Sequence, residues 1–275
     1  MNTDRFQPKK SLGQNFLIDG HYLHKIAETA LIAPGNQVLE IGPGLGHLTK
    51  ELIPRAGKLI IIEVDNRLIP ILRQEFGQNA NVELVHADAL TYDYGALSGS
   101  WKIVANLPYY ISTPLIQTFI DHRAKFTSLT LLLQKEVAER IAAPPGGKEY
   151  GYLSVMVQLY TVPRLEFTVP AGAFEPRPAV DSAVITLTVR QQPAAIVKDE
   201  QYLITVVKAA FSQRRKTLRN SLSQLGFSKS ILEEAGSATG INLTRRAETL
   251  EIAEFGRLAD YLIDRQGPGE QLKQE

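Results

Sequence analysis

Val38-Leu39-Glu40-Ile41-Gly42-Pro43-Gly44-Leu45-Gly46 is the stretch on which the fold of this chain turns. A short apolar strand runs into a glycine-rich turn, and Leu48 to Ile53 then carries helical spacing. The chain repeats that alternation downstream. Lys58 to Glu63 reads as a second strand and Arg67 to Phe76 as its helix. Val82 to His86 is a third strand, ending at Ala87-Asp88-Ala89, and Trp101 to Ala105 is a fourth. Leu129 to Leu133 makes a fifth, followed by a helix from Gln134 to Ala142, while His21 to Leu31 is a helix ahead of them all. Strands alternating with helices predict a parallel sheet covered on both faces. Leu165 to Val169 and Ala183 to Val189 predict a closing antiparallel pair. The expected class is α/β, with a mostly parallel seven-stranded sheet.

Past Arg190, Gln191-Gln192-Pro193-Ala194-Ala195 reads as a linker. Beyond it Gln201 to Ala210, Lys216 to Leu225, Ser228 to Glu234 and Ile252 to Asp264 read as helices with no strand among them. The expected division is a catalytic domain over 1–190 and a small all-α domain over 191–275. Pro144-Pro145-Gly146-Gly147 is expected to be a mobile loop, placed for a lid or an RNA contact. A chain of 275 residues suffices for one large and one small domain. No apolar run approaches the roughly 20 residues of a membrane span. The polar opening Met1 to Phe6 lacks the pattern of a secretory signal, so the cytoplasm is expected. There is no cysteine, which excludes disulfides, thiolate zinc sites and cysteine nucleophiles. No metal is expected.

The net charge of +1 hides an asymmetry. Between Gln201 and Leu232 stand Lys208, Arg214, Arg215, Lys216, Arg219 and Lys229 with no acidic residue, and Arg5, Lys9 and Lys10 cluster near the start. Basic runs are commonly solvated helix faces. The run from Phe211 to Asn220, however, lacks the glutamates that would pair with it along a helix. Unpaired cations on a nearly neutral protein predict a polyanionic partner, so Lys9, Lys10, Arg214, Arg215, Lys216 and Arg219 are candidate RNA contacts.

The glycine turn sits where open α/β sheets bind small molecules, at the carboxyl edge of the strands. A dinucleotide fingerprint has the spacing Gly-x-Gly-x-x-Gly. Here the spacing is Gly-x-Gly-x-Gly, and Glu40 before it would repel a pyrophosphate while suiting a cation. That points to S-adenosylmethionine, which carries an ammonium and a sulfonium. Glu63 at the end of the second strand is placed for ribose hydroxyls, and Asp88 at the end of the third for an adenine amine. Either acid alone could be a cap or turn residue; acids at three successive strand ends make a stronger pattern. Gly42, Gly44, Glu63, Asp88 and Ala89 are the candidate cofactor residues, and Asp65 reads as a helix cap.

Asn106-Leu107-Pro108-Tyr109 follows the fourth strand. An amide, a proline-fixed turn and an aromatic face suit holding an amine-bearing ring still while its nitrogen attacks. The Asn106 side-chain oxygen and a carbonyl of Leu107 or Pro108 would accept from the two N–H groups of an adenine amine, and Tyr109 would stack on the base. Phe174, on the loop Phe174-Glu175-Pro176-Arg177-Pro178, could stack on the opposite face; its spacing equally allows a core residue. A paired base cannot enter such a site, so the target is unpaired or flipped.

These motifs resemble the KsgA/RsmA family of ribosomal RNA adenine dimethyltransferases. The resemblance spans nearly the whole chain: Lys10 to Leu17, Glu40 to Gly46, Asn106 to Tyr109 with Ile111 to Pro114, Phe174 to Ser182, Phe211 to Leu222 and Arg246 to Leu250. It implies a Rossmann-like class I S-adenosylmethionine-dependent methyltransferase whose product is S-adenosylhomocysteine. Asn15 and Leu17 would close over the cofactor together with Gly42, Glu63, Asp88 and Asn106. The implied substrate is a pair of adjacent adenosines in the 3′-terminal hairpin of 16S rRNA within the 30S particle, each methylated twice at N6, by a monomer. Tyr110 departs from the family, where asparagine is usual. The alternatives are an antibiotic-resistance-type enzyme acting on 23S rRNA and a ribosome-assembly binding factor. An NAD-dependent dehydrogenase ranks third because its glycine spacing differs.

Overall fold

The computed structural model of the chain describes residues 7–9 and 12–265. In chain order the elements are β1 (Phe16–Leu17), α1 (Gly20–Thr29), β2 (Gln37–Ile41), α2 (His47–Leu52), β3 (Lys58–Glu63), α3 (Ile69–Phe76), β4 (Val82–His86) and β5 (Trp101–Asn106). Then come α4 (Ser112–Asp121), β6 (Phe126–Gln134), α5 (Lys135–Ala142), α6 (Tyr152–Tyr160), β7 (Thr161–Val169), β8 (Phe174–Glu175) and β9 (Ser182–Val189). The last helices are α7 (Glu200–Phe211), α8 (Leu218–Leu222), α9 (Lys229–Thr239) and α10 (Ile252–Ile263).

Seven strands form the main sheet in the order β4-β3-β2-β5-β6-β9-β7, and only β9 runs against the rest. The central strands are continuous apolar runs because both of their faces are covered; Leu59 to Ile62 are all buried. From β2 the chain builds outward through β3 and β4, then returns to the other side of β2 to lay down β5. The strand order therefore reverses between β2 and β5, and a crevice opens there at their carboxyl ends. Gly46 starts α2 with φ 80°, and a Cβ on it would stand 2.3 Å from the Phe76 ring. Only glycine lets α2 and α3 approach so closely.

The chain divides into two compact units. One holds the residues up to Glu139 together with Thr161–Val189, and with them the whole sheet. The other holds Arg140–Tyr160 and the chain from Arg190 onward. The expected single cut at 190 therefore misses an excursion. Its helix, α6, is not legible in the sequence because Tyr152-Leu-Ser-Val-Met-Val-Gln-Leu-Tyr160 is apolar nearly all round and shows no stripe. The stretch read as a linker is tied to α6: the Ala194 amide donates to the Leu159 carbonyl at 2.7 Å. In this unit Phe211 lies between Tyr150 and Phe255, with ring centroids 6.0 and 5.8 Å away. Helix α4 is absent from the expected elements; its Pro114 falls in the first helical turn, where proline is tolerated.

Candidate active site

A cleft opens at the carboxyl ends of the strands, where open α/β sheets hold small molecules. Gly42 and Gly44 after β2, Glu63 and Val64 at the end of β3, and Ala87 to Ala89 after β4 line it. Asn106 to Ile111 after β5 and Leu12 to Phe16 complete the wall. Among the residues expected to bind the cofactor, Asn15, Gly42, Gly44, Glu63, Asp88, Ala89 and Asn106 thus meet in one place.

Glu63 organises the cofactor end. One carboxylate oxygen accepts the Gly44 amide at 3.3 Å and the other accepts the Asp65 amide at 2.8 Å. Burial pushes its carboxyl above the ordinary value, opposed by those amide bonds. Each oxygen keeps a lone pair for a further donor such as a ribose hydroxyl. Asp88 receives the Leu90 amide on one oxygen at 2.9 Å. Gly44 has φ 59°, and a Cβ there would lie 2.7 Å from the Phe16 ring, so the turn and the N-terminal segment pass at backbone distance. Acceptors at two strand ends and a side-chain-free turn between them fit the ribose, adenine and amino-acid parts of S-adenosylmethionine.

The third acid is placed differently. Glu40 is fully buried, accepts the Thr49 hydroxyl at 2.7 Å, and lines a narrow crevice behind Gly42. Burial, with a smaller push from Glu63 and against the Thr49 bond, raises its carboxyl to about 8. Glu40 does not line the cleft where a cationic group would lie, and its burial favours the protonated form. Asp65 is also more than a cap. Arg67 grips its carboxylate at 2.5 and 2.9 Å and Gln14 donates to it at 2.9 Å, which holds it down to about 2. Through Gln14 this buried acid pins the N-terminal segment to β3, a link no sequence signal announced.

At the catalytic end, the Asn106 side-chain nitrogen donates to the Asn15 carbonyl at 3.2 Å. A carbonyl can only accept, so the amide nitrogen must face Asn15 and the amide oxygen is left for another donor. The Pro108 carbonyl accepts the Ile111 amide at 3.2 Å, whereas among the described residues none donates to that of Leu107. Leu107 is the better placed second acceptor. The Tyr109 hydroxyl meets the Ser182 hydroxyl at 2.6 Å, and burial raises it above the ordinary phenol value, so it stays neutral. Tyr110 is 56% exposed at the mouth, its ring against Gly13.

Two expected site residues lie elsewhere. Leu17 of β1 pairs with Phe174 of β8, and both are buried in the apolar core with Val38, Val104 and Val184. Leu17 lines only the crevice beside Glu40, and Phe174 does not line the cleft. The stacking role for Phe174 is corrected to its plainer reading, a core residue.

The candidate RNA contacts divide between the two units. Lys10 lies outside the described residues, and Lys9 is exposed. Arg214, Arg215 and Lys216 form an exposed turn between α7 and α8 rather than a helix. Arg214 donates to the Lys148 carbonyl. Arg219 is not unpaired as expected: Glu233 of α9 reaches it at 3.6 Å and Lys229 at the same distance. Among the described residues no ion pair engages Arg215 or Lys216. The loop Pro144 to Gly147 is tied rather than free, its Gly146 amide donating to the Glu248 carbonyl at 2.7 Å.

Sheet order, glycine turn and strand-end acids define a Rossmann-like methyltransferase that takes its methyl group from S-adenosylmethionine. Residues 5–264 match the model of the ribosomal RNA adenine dimethylase family, and the chain belongs to that family. It is 47% identical over 266 residues to ribosomal RNA small subunit methyltransferase A of Moorella thermoacetica, covering 93% of this chain and 92% of that one. Among solved structures it resembles a dimethyladenosine transferase from Plasmodium falciparum, with TM-score 0.78, 28% identity, and 88% and 95% of the two chains covered. It also resembles the 23S rRNA methyltransferase ErmE, with TM-score 0.71, 28% identity, and 90% and 100% covered. No helix among the described residues is long and apolar enough to cross a membrane.

Proposed function

We propose that this enzyme dimethylates N6 of two adjacent adenosines in the 3′-terminal hairpin of 16S rRNA within the 30S particle. The observation that carries the reading is the turn after β5: an amide oxygen left open at Asn106 and an uncommitted carbonyl at Leu107, beside the half-buried ring of Tyr109. S-adenosylmethionine, held by Gly42, Gly44, Glu63, Asp88 and Ala89, supplies an electrophilic methyl group. The rest falls to the protein. An adenine amine is a poor nucleophile because its lone pair is spread into the ring. Asn106 and Leu107 accept hydrogen bonds from its two N–H groups and favour a rehybridised nitrogen whose lone pair is localised toward the methyl group. Tyr109 holds the plane by stacking, and Pro108 fixes the turn. No strong base is needed, since the amine proton becomes acidic as the methyl is transferred. Orientation and stabilisation of growing positive charge carry the rate.

The small-subunit substrate is favoured over 23S rRNA because the small-subunit relative is much more similar in sequence than the 23S enzyme. The test is methyl transfer to undermethylated 30S particles and to naked 23S RNA, with mass spectrometry of the product. Two dimethylated adenosines in the 16S hairpin are expected, and methylation of 23S RNA alone would sink the assignment. Asn106→Ala should lower kcat by roughly 100-fold or more, as loss of oriented acceptors at a charged transition state does. Undiminished methylation by that variant would show that the proposed role of Asn106 is wrong.

A further inference from the structure

We propose that Ser182 is a positioning residue for the methyl transfer, setting the plane of the Tyr109 ring through the 2.6 Å contact between their hydroxyls. This rests on the reading of Tyr109 as the stacking residue. Ser182 is fully buried at the first position of β9, between Gln134 of β6 and Val169 of β7 in the sheet register. Its backbone is thus held from both sides. Asp181 before it is fixed too, its carboxylate accepting the Ala171 amide at 2.9 Å and its carbonyl accepting the Lys135 amide at 3.0 Å. The serine hydroxyl is therefore a fixed point in the sheet, with no freedom to follow a moving partner.

Tyr109 is the reverse. It sits at the start of a single 3-10 turn, Tyr109–Ile111, and its carbonyl accepts the Ser112 amide and, at 3.0 Å, the Ser112 hydroxyl. A tyrosine ring on such a turn can swing about its side-chain bonds, and a stacking platform that swings gives up the orientation on which the reaction depends. The Ser182 contact ties the far end of the ring to the rigid sheet. It also gives a buried serine its hydrogen-bond partner. The residue at the end of the Phe174 to Ser182 motif thereby gains a task distinct from that of Phe174.

The test is a double-mutant cycle with Ser182→Ala, Tyr109→Phe and both together, read by single-turnover methylation of 30S particles and by S-adenosylmethionine affinity. Each single variant should lose roughly threefold to tenfold in kcat, the worth of one neutral hydrogen bond, with cofactor affinity unchanged. The double variant should lose no more than either single one, because both remove the same interaction. A Ser182→Ala enzyme of wild-type kcat, or losses that multiply in the double variant, would overturn the proposal. So would a loss that appears equally in cofactor affinity, the mark of a general structural defect. Tyr109→Ala separates this inference from the reading beneath it. If removing the whole ring leaves the rate intact, stacking itself is wrong. If that variant fails while Ser182→Ala is normal, only the tether is wrong.

Discussion

Glu40 shows how far a residue's type can stand from its state. Between the ordinary carboxylate value and about 8, the folded protein keeps on Glu40 a proton that the unfolded chain has lost. Stability therefore falls as pH rises through that window. Glu63 is shifted in the same sense and adds to the fall. Glu40→Gln keeps the shape and cannot ionise, so its melting temperature should decline less steeply between about pH 5 and pH 8 than that of the wild type. Identical slopes would show that Glu40 is already ionised in the fold. Sequence reading places Glu40, Glu63 and Asp88 at strand ends correctly because strand ends are set by local pattern. Which way a carboxylate faces depends on what packs over it, here Thr49 on α2, and no local pattern carries that. The same limit applies to Phe174, whose partner Leu17 is far away in the sequence.

At the scale of elements, the glycine turn and the basic turn make separate predictions. Gly46→Ala would drive a methyl into the Phe76 ring at a backbone angle that alanine resists. Destabilisation of about 1–3 kcal/mol is expected by denaturant unfolding, and a change within error would mean α3 yields more easily than it looks. The turn between α7 and α8 should act on RNA alone. Replacing Arg215 and Lys216 with glutamine should weaken RNA binding and lower the slope of log affinity against log salt by roughly 0.7 to 0.9 for each phosphate no longer neutralised. S-adenosylmethionine binding should not change, and an altered cofactor affinity would assign the pair a structural role. The basic run is legible in the sequence as composition but not as geometry. Its missing glutamate arrives from α9, a partner that spacing along one helix cannot show.

For the molecule as a whole, strand order decides where chemistry can happen. The reversal between β2 and β5 puts the glycine turn and Asn106 on the two sides of one crevice, although some 60 residues separate them. The alternation of strands and helices is plain in the sequence, because it rests on local periodicity. The excursion of Arg140–Tyr160 into the second unit is not, because a helix buried all round looks like any apolar run. A cleft of this kind stabilises the fold by mass action. S-adenosylmethionine at about 100 times its dissociation constant should add roughly 2.7 kcal/mol of stability, and S-adenosylhomocysteine should act likewise. A thermal shift with NAD and none with either of these would revive the dehydrogenase reading.

The N-terminal wall of the cleft bears on turnover. A base that receives a second methyl needs spent donor out and fresh donor in between the two transfers. Gln14, Asn15 and Phe16 line the cleft, Gln14 donating to Asp65, Asn15 accepting from Asn106 and the Phe16 ring lying against Gly44. Their hold is two hydrogen bonds and a packing contact, each bond worth about 0.5–1.5 kcal/mol when neutral and somewhat more at the Asp65 carboxylate. The aim of Asn106 therefore depends on a segment some 90 residues earlier in the chain, which forms one wall of the same cleft.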